Sequence, residues 1–379
     1  HFSRYQVQRV ILADSLMPYS IREQIRAACQ ESGIDLQDFS GFLRYDGSGL
    51  SFQKLMECFS GKVIVQENGQ ISRFDNGEQA LMTIVGRHDI RSVSIREDSL
   101  FVELISYSVV PLIVYFITNR PDVALVAEKY GVDRIWIDLE VRGKEERQHN
   151  MNTVKSHHSI ADIAEIKPLL TRADLMVRVN SWYEGSPEEI EQVIAAGADI
   201  VMLPYWKTVA EVKAFVAAGH GRCRTSLLLE TREAVDCLDE VLALGGFDEI
   251  HIGLNDLSIC YGKKFMFELL ANGKVDEIMT KLKAKDIFSG FGGIASLNKG
   301  MISGKNILTE HYRLKSDMAI LSRSFCDTSK VKDLEEIRNI FAEGLKEIRD
   351  YEQLLTTQPA EYFEANHQEV IRKVGDIIK

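Results

Sequence analysis

The chain has 379 residues, 45% of them apolar and 27% charged, with a formal net charge of -11. That is the composition of a globular protein with room for one large domain and a small one. The acidic balance argues against nucleic acid or an anionic membrane as the main partner, and the longest apolar run, Ser108 to Thr118, is too short to span a bilayer.

Residues 1–20 carry charges throughout and show no apolar signal segment. Cys29, Cys58, Cys223, Cys237, Cys260 and Cys326 are scattered without a CxxC pair. A disulfide framework or structural zinc is therefore not expected, and a reducing cytoplasm is.

Residues 1–108 are expected to form a small α+β domain. Val7–Ala13 predicts a strand and Ser20–Ser32 a helix, with Ile21, Ile25 and Ala28 on one face. Asp46-Gly-Ser-Gly49 is turn sequence. Val63–Phe74 reads as a hairpin about Asn68-Gly69, whose residues suit the positive φ angles of a type I′ turn. Ile90–Ile95 and Leu100–Ile105 predict a second hairpin. No chemistry is evident here: His88-Asp89 has the residue types of a catalytic pair but reads as a surface turn.

From Pro111 onward strands and helices alternate. Eight apolar runs read as buried parallel strands: Leu112–Thr118, Arg134–Glu140, Leu175–Asn180, Ile200–Tyr205, Thr225–Glu230, Glu249–Leu254, Ile287–Ile294 and Met318–Phe325. Helix punctuation lies between them. Ser186-Pro-Glu-Glu189 and Thr208-Val-Ala-Glu211 each predict a capping box, and Gly131, Gly197 and Gly246 fall where a helix stops before a strand. Eight such units over roughly 240 residues predict a (β/α)₈ TIM barrel over 109–330. A doubly wound open sheet is the alternative, because alternation does not demonstrate closure. Residues 331–379 predict C-terminal helices packing on the barrel or on a neighbouring subunit, the first with Leu334, Ile337, Phe341, Leu345 and Ile348 on one face.

A barrel enzyme builds its site from the C-terminal ends of its strands. Those ends carry Asp138 and Glu140 on the second strand, Arg178 on the third, Glu230 on the fifth and Asp256 just past the sixth. Acids gathered at one rim call for a cation or an ordered counter-charge. Glu230 and Asp256 are the expected ligands of Mg²⁺ or Mn²⁺, with positions left for water and two substrate oxygens. Arg178 suits a substrate carboxylate or an enolate oxygen, and backbone N–H groups of Gly253, Leu254 and Asn255 can assist binding. Each residue also has a plainer reading. Glu230 can cap the helix after it, Arg178 can simply pair with Asp138 or Glu140, and Asp138 can orient rather than react. His251, mid-strand, reads as a core histidine, and His149, His157 and His158 read as loop residues.

The segments Trp136-Ile-Asp-Leu-Glu140, Val177-Arg-Val-Asn180, Ala198-Asp-Ile-Val-Met-Leu-Pro204, Leu228-Leu-Glu-Thr-Arg-Glu-Ala234 and Ile252-Gly-Leu-Asn-Asp-Leu-Ser258 together resemble the HpcH/HpaI aldolase and citrate lyase β-subunit family of the phosphoenolpyruvate/pyruvate-binding barrels. The resemblance implies a reversible, metal-dependent carbon–carbon lyase or aldolase. Its substrates would be a 2-oxo acid and an aldehyde or acyl partner, handled through an enolate by a homo-oligomer, trimer or hexamer. It places Glu230 and Asp256 at the metal positions and Arg178 at the 2-oxo acid. Two positions depart from the aldolase branch: Val141 stands where it carries a histidine base, and Leu228 where it carries a glutamine. Arg142, Lys144, His149 and His157 are the candidate replacements for the base. A CoA-ester lyase and a non-catalytic binding barrel are the competing functions.

Overall fold

The computed structural model describes residues 9–12, 35–38, 62–67, 70–75, 90–96, 99–104, 111–142, 158–219 and 221–379. The expected helix Ser20–Ser32, the Asp46–Gly49 and Asn68-Gly69 turns, His88-Asp89, Lys144, His149 and His157 lie outside them. The chain divides into two compact units, His1–Val110 and Pro111–Lys379.

In the first unit, β1 (Arg9–Leu12) pairs in parallel with β2 (Asp35–Asp38). β3 (Lys62–Glu67) and β4 (Gln70–Phe74) form the expected antiparallel hairpin, with Glu67 opposite Gln70. β5 (Ile90–Arg96) and β6 (Ser99–Leu104) form the other. The two hairpins join through a parallel β3–β6 pairing in the order β4-β3-β6-β5. β2 has no counterpart in the sequence reading, because Asp-Leu-Gln-Asp offers one apolar residue in four.

The second unit is a closed barrel of eight parallel strands. They are β7 (Ile113–Ile117), β8 (Arg134–Asp138), β9 (Asp174–Arg178), β10 (Ile200–Leu203), β11 (Arg224–Leu229), β12 (Glu249–Ile252), β13 (Phe288–Ile294) and β14 (Met318–Leu321). β14 pairs with β7 in parallel, which closes the ring and excludes the open sheet. The apolar runs overshoot several strands by two to four residues: Glu140, Asn180 and Tyr205 lie past the pairing, and Leu254 already opens a helix.

Successive strand residues alternate between lumen and helix layer. Ile113, Tyr115, Trp136, Met176, Ile200, Met202, Leu228, Phe288 and Met318 form one buried cluster, the lumen face of the barrel. β13 and β14 approach closely at Gly290, where a Cβ would stand 1.9 Å from the Met318 carbonyl oxygen. Polar residues sit in the same lumen phase toward the strand ends. At the N-terminal end Arg134 makes a two-pronged pair with Glu249, Nη1 to Oε1 at 2.8 Å and Nη2 to Oε2 at 2.9 Å. Both residues are buried.

The helix layer follows the sequence reading with one correction. Gly131, Gly197 and Gly246 take positive φ, and Thr208 and Glu211 form their capping box. Ser186 does not cap: it lies inside the helix Ser186–Ala195 behind Gly185, and its hydroxyl accepts the Tyr183 N–H at 2.9 Å. The partner expected of it, Glu189, is drawn off by Asn180. The helix Leu334–Thr356 packs Phe341 edge-on against Phe116, and its Glu352 accepts the Leu112 N–H at 2.8 Å. The helix Ala360–Ile378 is held by Asn366 on Asn306 and by His367 on Glu310.

A desolvated ion pair is costly to break one partner at a time. Glu249→Ala is expected to destabilise the barrel by about 3–5 kcal/mol in urea unfolding, because the Arg134 charge is left buried. Joint replacement of Arg134 and Glu249 by Met should recover most of that loss. A single-mutant loss as small as that of the double variant would contradict the pairing.

Candidate active site

Lumen alternation carries β8 from Trp136 to Asp138, β9 from Met176 to Arg178 and β11 from Leu228 to Glu230, all at the C-terminal rim. Asp138 lies opposite Arg178 in the β8–β9 register. Its carboxylate accepts from Arg178 Nε and Nη2, each at 2.8 Å, and Glu140 lies 3.4 Å from Nη1. The guanidinium also stands 5.1 Å from the centre of the Trp136 ring. Burial opposes its charge, but the fields of Asp138, Glu140 and Glu230 more than offset that, and its pKa rises above the ordinary value. Arg178, Asp138, Glu140 and Glu230 therefore share one electrostatic site, as the strand ends predict.

Glu230 follows β11 directly and is 3% exposed. Its Oε1 accepts the Tyr205 backbone N–H at 3.0 Å. Helix capping at this point falls to Thr231, whose hydroxyl accepts from the Ala234 N–H at 3.1 Å and donates to the Trp206 carbonyl at 2.8 Å. The capping reading of Glu230 is thereby removed. On the other side, a Cβ on Gly253 would stand 2.8 Å from Glu230 Oε2 and 2.9 Å from its Cβ. Glycine keeps open the space the carboxylate occupies.

Asp256 is buried in the first turn of the helix Leu254–Cys260. Gly253 corrects an expectation: its N–H goes to the Leu229 carbonyl at 2.9 Å and is not offered to a ligand. Leu254 is buried, and Asn255 is exposed. Among the described residues no three His, Cys, Asp or Glu side chains converge to encase an ion. Glu230 and Asp256 are each buried carboxylates with hard oxygen donors, the donor type that a hydrated divalent cation takes.

Three contributors are missing from the sequence reading. His158 is not a free loop residue: its Nδ1 accepts the Asp138 N–H at 2.9 Å. That bond leaves Nδ1 unprotonated and puts the proton of the neutral ring on Nε2. Asn180, at the end of the third strand, accepts the Val141 and Arg142 N–H groups on Oδ1, each at 3.0 Å. Glu189 in turn holds the Asn180 amide at 2.8 Å. The third is Tyr205. Only Asn180 had a signal, a polar residue closing an apolar strand. Val141 is 61% exposed, and the Arg142 guanidinium lies 4.2 Å from the centre of the Tyr183 ring.

His251 is a core histidine, as expected. Its Nδ1 meets the Tyr115 hydroxyl inside the barrel, and burial lowers its pKa to about 3. His311, stacked on Phe291 at 4.0 Å, is likewise lowered to about 3 by burial. Neither ring is charged at neutral pH.

Residues 112–268 match the model of the HpcH/HpaI aldolase/citrate lyase family. The match runs from the first barrel strand past the sixth, and the family it names is one of aldolases and lyases. Among solved structures, the HpcH/HpaI aldolase from Desulfitobacterium hafniense DCB-2 is 13% identical over 60% of this chain and 93% of its own, with a TM-score of 0.45. An HpcH/HpaI aldolase/citrate lyase family protein from Burkholderia cenocepacia J2315 is 14% identical over 60% and 95%, with a TM-score of 0.44. The citrate lyase β subunit from M. tuberculosis, solved with oxaloacetate and magnesium, is 15% identical over 61% and 97%, with a TM-score of 0.42. No curated protein sequence matches the chain.

The two buried histidines set a pH dependence. Each stays neutral in the folded chain down to about pH 3 but takes up a proton near 6.5 once unfolded. The unfolded state then binds more protons below pH 6.5, so stability falls as pH falls from there toward 3. The slope reaches up to about 1.4 kcal/mol per pH unit for each ring. Urea midpoints measured from pH 7 to 5, above the main carboxylate range, should decrease steadily; a flat profile would show that the rings are hydrated or paired.

Proposed function

We propose that this protein is a divalent-metal-dependent carbon–carbon lyase or aldolase that acts on a 2-oxo acid through an enolate. One observation carries the reading: at the rim of a family barrel, the buried Glu230 carboxylate is held by a backbone N–H within the electrostatic field of an arginine that Asp138 clamps through two hydrogen bonds. The aldolase and lyase chemistry of the family supports the reaction type.

Glu230 and Asp256 would hold the ion. Their buried oxygen donors, with Glu230 seated against the bare α-carbon of Gly253, fit a cation such as Mg²⁺ or Mn²⁺ bound through one or two carboxylates. Such an ion supplies positive charge where negative charge builds on the substrate oxygens.

The chain's own residues do the rest. Arg178 offers a fixed positive charge to the carboxylate or developing oxyanion of the 2-oxo acid. Asp138 spends both oxygens on Arg178 and accepts the Glu140 N–H at 3.2 Å, so it orients its neighbours. Glu140, with one oxygen 3.4 Å from Arg178 Nη1, is the rim acid placed to handle a proton beside the substrate's charge. Asn180 fixes the backbone at Val141 and Arg142, where the aldehyde or acyl partner would enter.

Calorimetric titration of pyruvate and of oxaloacetate with Mg²⁺, Mn²⁺ or EDTA tests this reading. Binding should require the metal, and Asp256→Ala or Glu230→Ala should weaken it by more than about 100-fold. Full carbon–carbon lyase turnover by Glu230→Ala would overturn the assignment.

A further inference from the structure

Three non-glycine residues among those described have positive φ: Tyr205 at 50°, Asp286 at 53° and Lys315 at 53°. Asp286 and Lys315 follow the helices Lys274–Lys283 and Gly304–Arg313, where a left-handed residue commonly ends a helix. Tyr205 has no helix to end. It comes two residues after β10, on the rim that carries the acids. A bulky residue there strains the backbone, and such strain persists only where the surroundings impose it.

The surroundings can be named. The Tyr205 N–H is spent on Glu230 Oε1 at 3.0 Å. The next residue, Trp206, is fully buried, and its carbonyl accepts the Thr231 hydroxyl at 2.8 Å. The loop after β10 is thus tied twice to the end of β11, once through Glu230 itself. Across the carboxylate lies the bare α-carbon of Gly253, whose own N–H is bound to the Leu229 carbonyl, the residue before Glu230.

We propose that Tyr205 and Gly253 are positioning residues for Glu230. The left-handed turn at Tyr205 aims its N–H at Oε1, and the missing side chain at Gly253 leaves Oε2 a seat at the start of the helix that carries Asp256. One side of the carboxylate accepts a backbone N–H, and the other lies against a bare α-carbon. Tyr205 matters through its φ angle and Gly253 through its lack of a Cβ. The consequence for a metal rests on the reading of Glu230 given above; the positioning itself does not.

The experiment has two readouts on the full chain. The first is thermal unfolding of metal-free protein in a double-mutant cycle. Gly253→Ala should lower the Tm in the wild-type background and lower it less in Glu230→Ala, because Oε2, which the new Cβ meets at 2.8 Å, is then trimmed away, while the contact with the Cβ of residue 230 at 2.9 Å stays. Equal shifts in the two backgrounds would overturn the contact. The second is Mn²⁺ affinity, followed by the electron paramagnetic resonance of the free ion. Gly253→Ala and Tyr205→Val should each bind at least about tenfold more weakly than wild type. Tyr205→Gly, which takes the left-handed conformation without strain, should bind more tightly than Tyr205→Val.

The outcomes separate the two claims. If Glu230→Ala binds Mn²⁺ like wild type, the metal reading of Glu230 fails, while the cycle still decides the positioning. If Glu230→Ala loses Mn²⁺ but Gly253→Ala and Tyr205→Val keep it, the positioning proposal fails.

Discussion

Closure of β14 onto β7 is the constraint on which the rest of the barrel depends. Once the ring is closed, the two-residue alternation of every strand delivers alternate side chains into one lumen. The middle of that lumen is filled mainly by large apolar and aromatic groups, and charge is confined to its two ends. At the N-terminal end Arg134 and Glu249 match atom for atom, two donors on two acceptors. At the C-terminal end Asp138, Glu140 and Glu230 all contribute to the field at one guanidinium. The same residue types thus serve two ends. One is a closed pair suited to structure, and the other is an acid-rich group around Arg178, suited to a ligand.

Much of this was legible in the sequence because burial on both faces leaves a strong signal. The eight barrel strands read as apolar runs, and the acids stand out as a group because several carboxylates close such runs at one rim, although each alone has a plainer reading. Strand ends were read too long, since Glu140, Asn180 and Tyr205 continue the apolar or polar pattern after hydrogen-bonded pairing has stopped. β2 was missed because a short strand of Asp-Leu-Gln-Asp has no pattern to detect. The box at Ser186 failed for a different reason. A capping box needs its glutamate, and Glu189 has a better use on the Asn180 amide and N–H.

The groups that hold the site were the least legible. Tyr205, Gly253 and His158 act through a backbone N–H, an absent atom and a ring nitrogen brought from a distant loop end. None of these leaves a trace in residue type or spacing. Tyr205 acts through its main chain, which any residue but proline can supply, and only its φ angle marks it. Gly253 reads in sequence as a flexible turn or an N–H donor, yet its N–H is committed and its contribution is empty space. Side-chain chemistry is therefore readable at the rim, whereas the geometry that makes it specific is carried by tertiary contacts.

Proton handling follows from the same contacts. Val141 leaves the second strand without a histidine beside Glu140, and the described histidines near the lumen do not replace it as bases. His251 and His311 are neutral and buried in the core. His158 is held at Nδ1 by the Asp138 N–H, so its neutral ring can act only as a donor through Nε2. Asp138 has both oxygens committed to Arg178. In the proposed reaction that duty falls to a rim carboxylate, for which Glu140, 3.4 Å from Arg178 Nη1, is the candidate. A carboxylate is by its nature a weak base. Such a site works best where the substrate proton is already made acidic, which is the condition a 2-oxo acid meets when its own oxygens are held by positive charge.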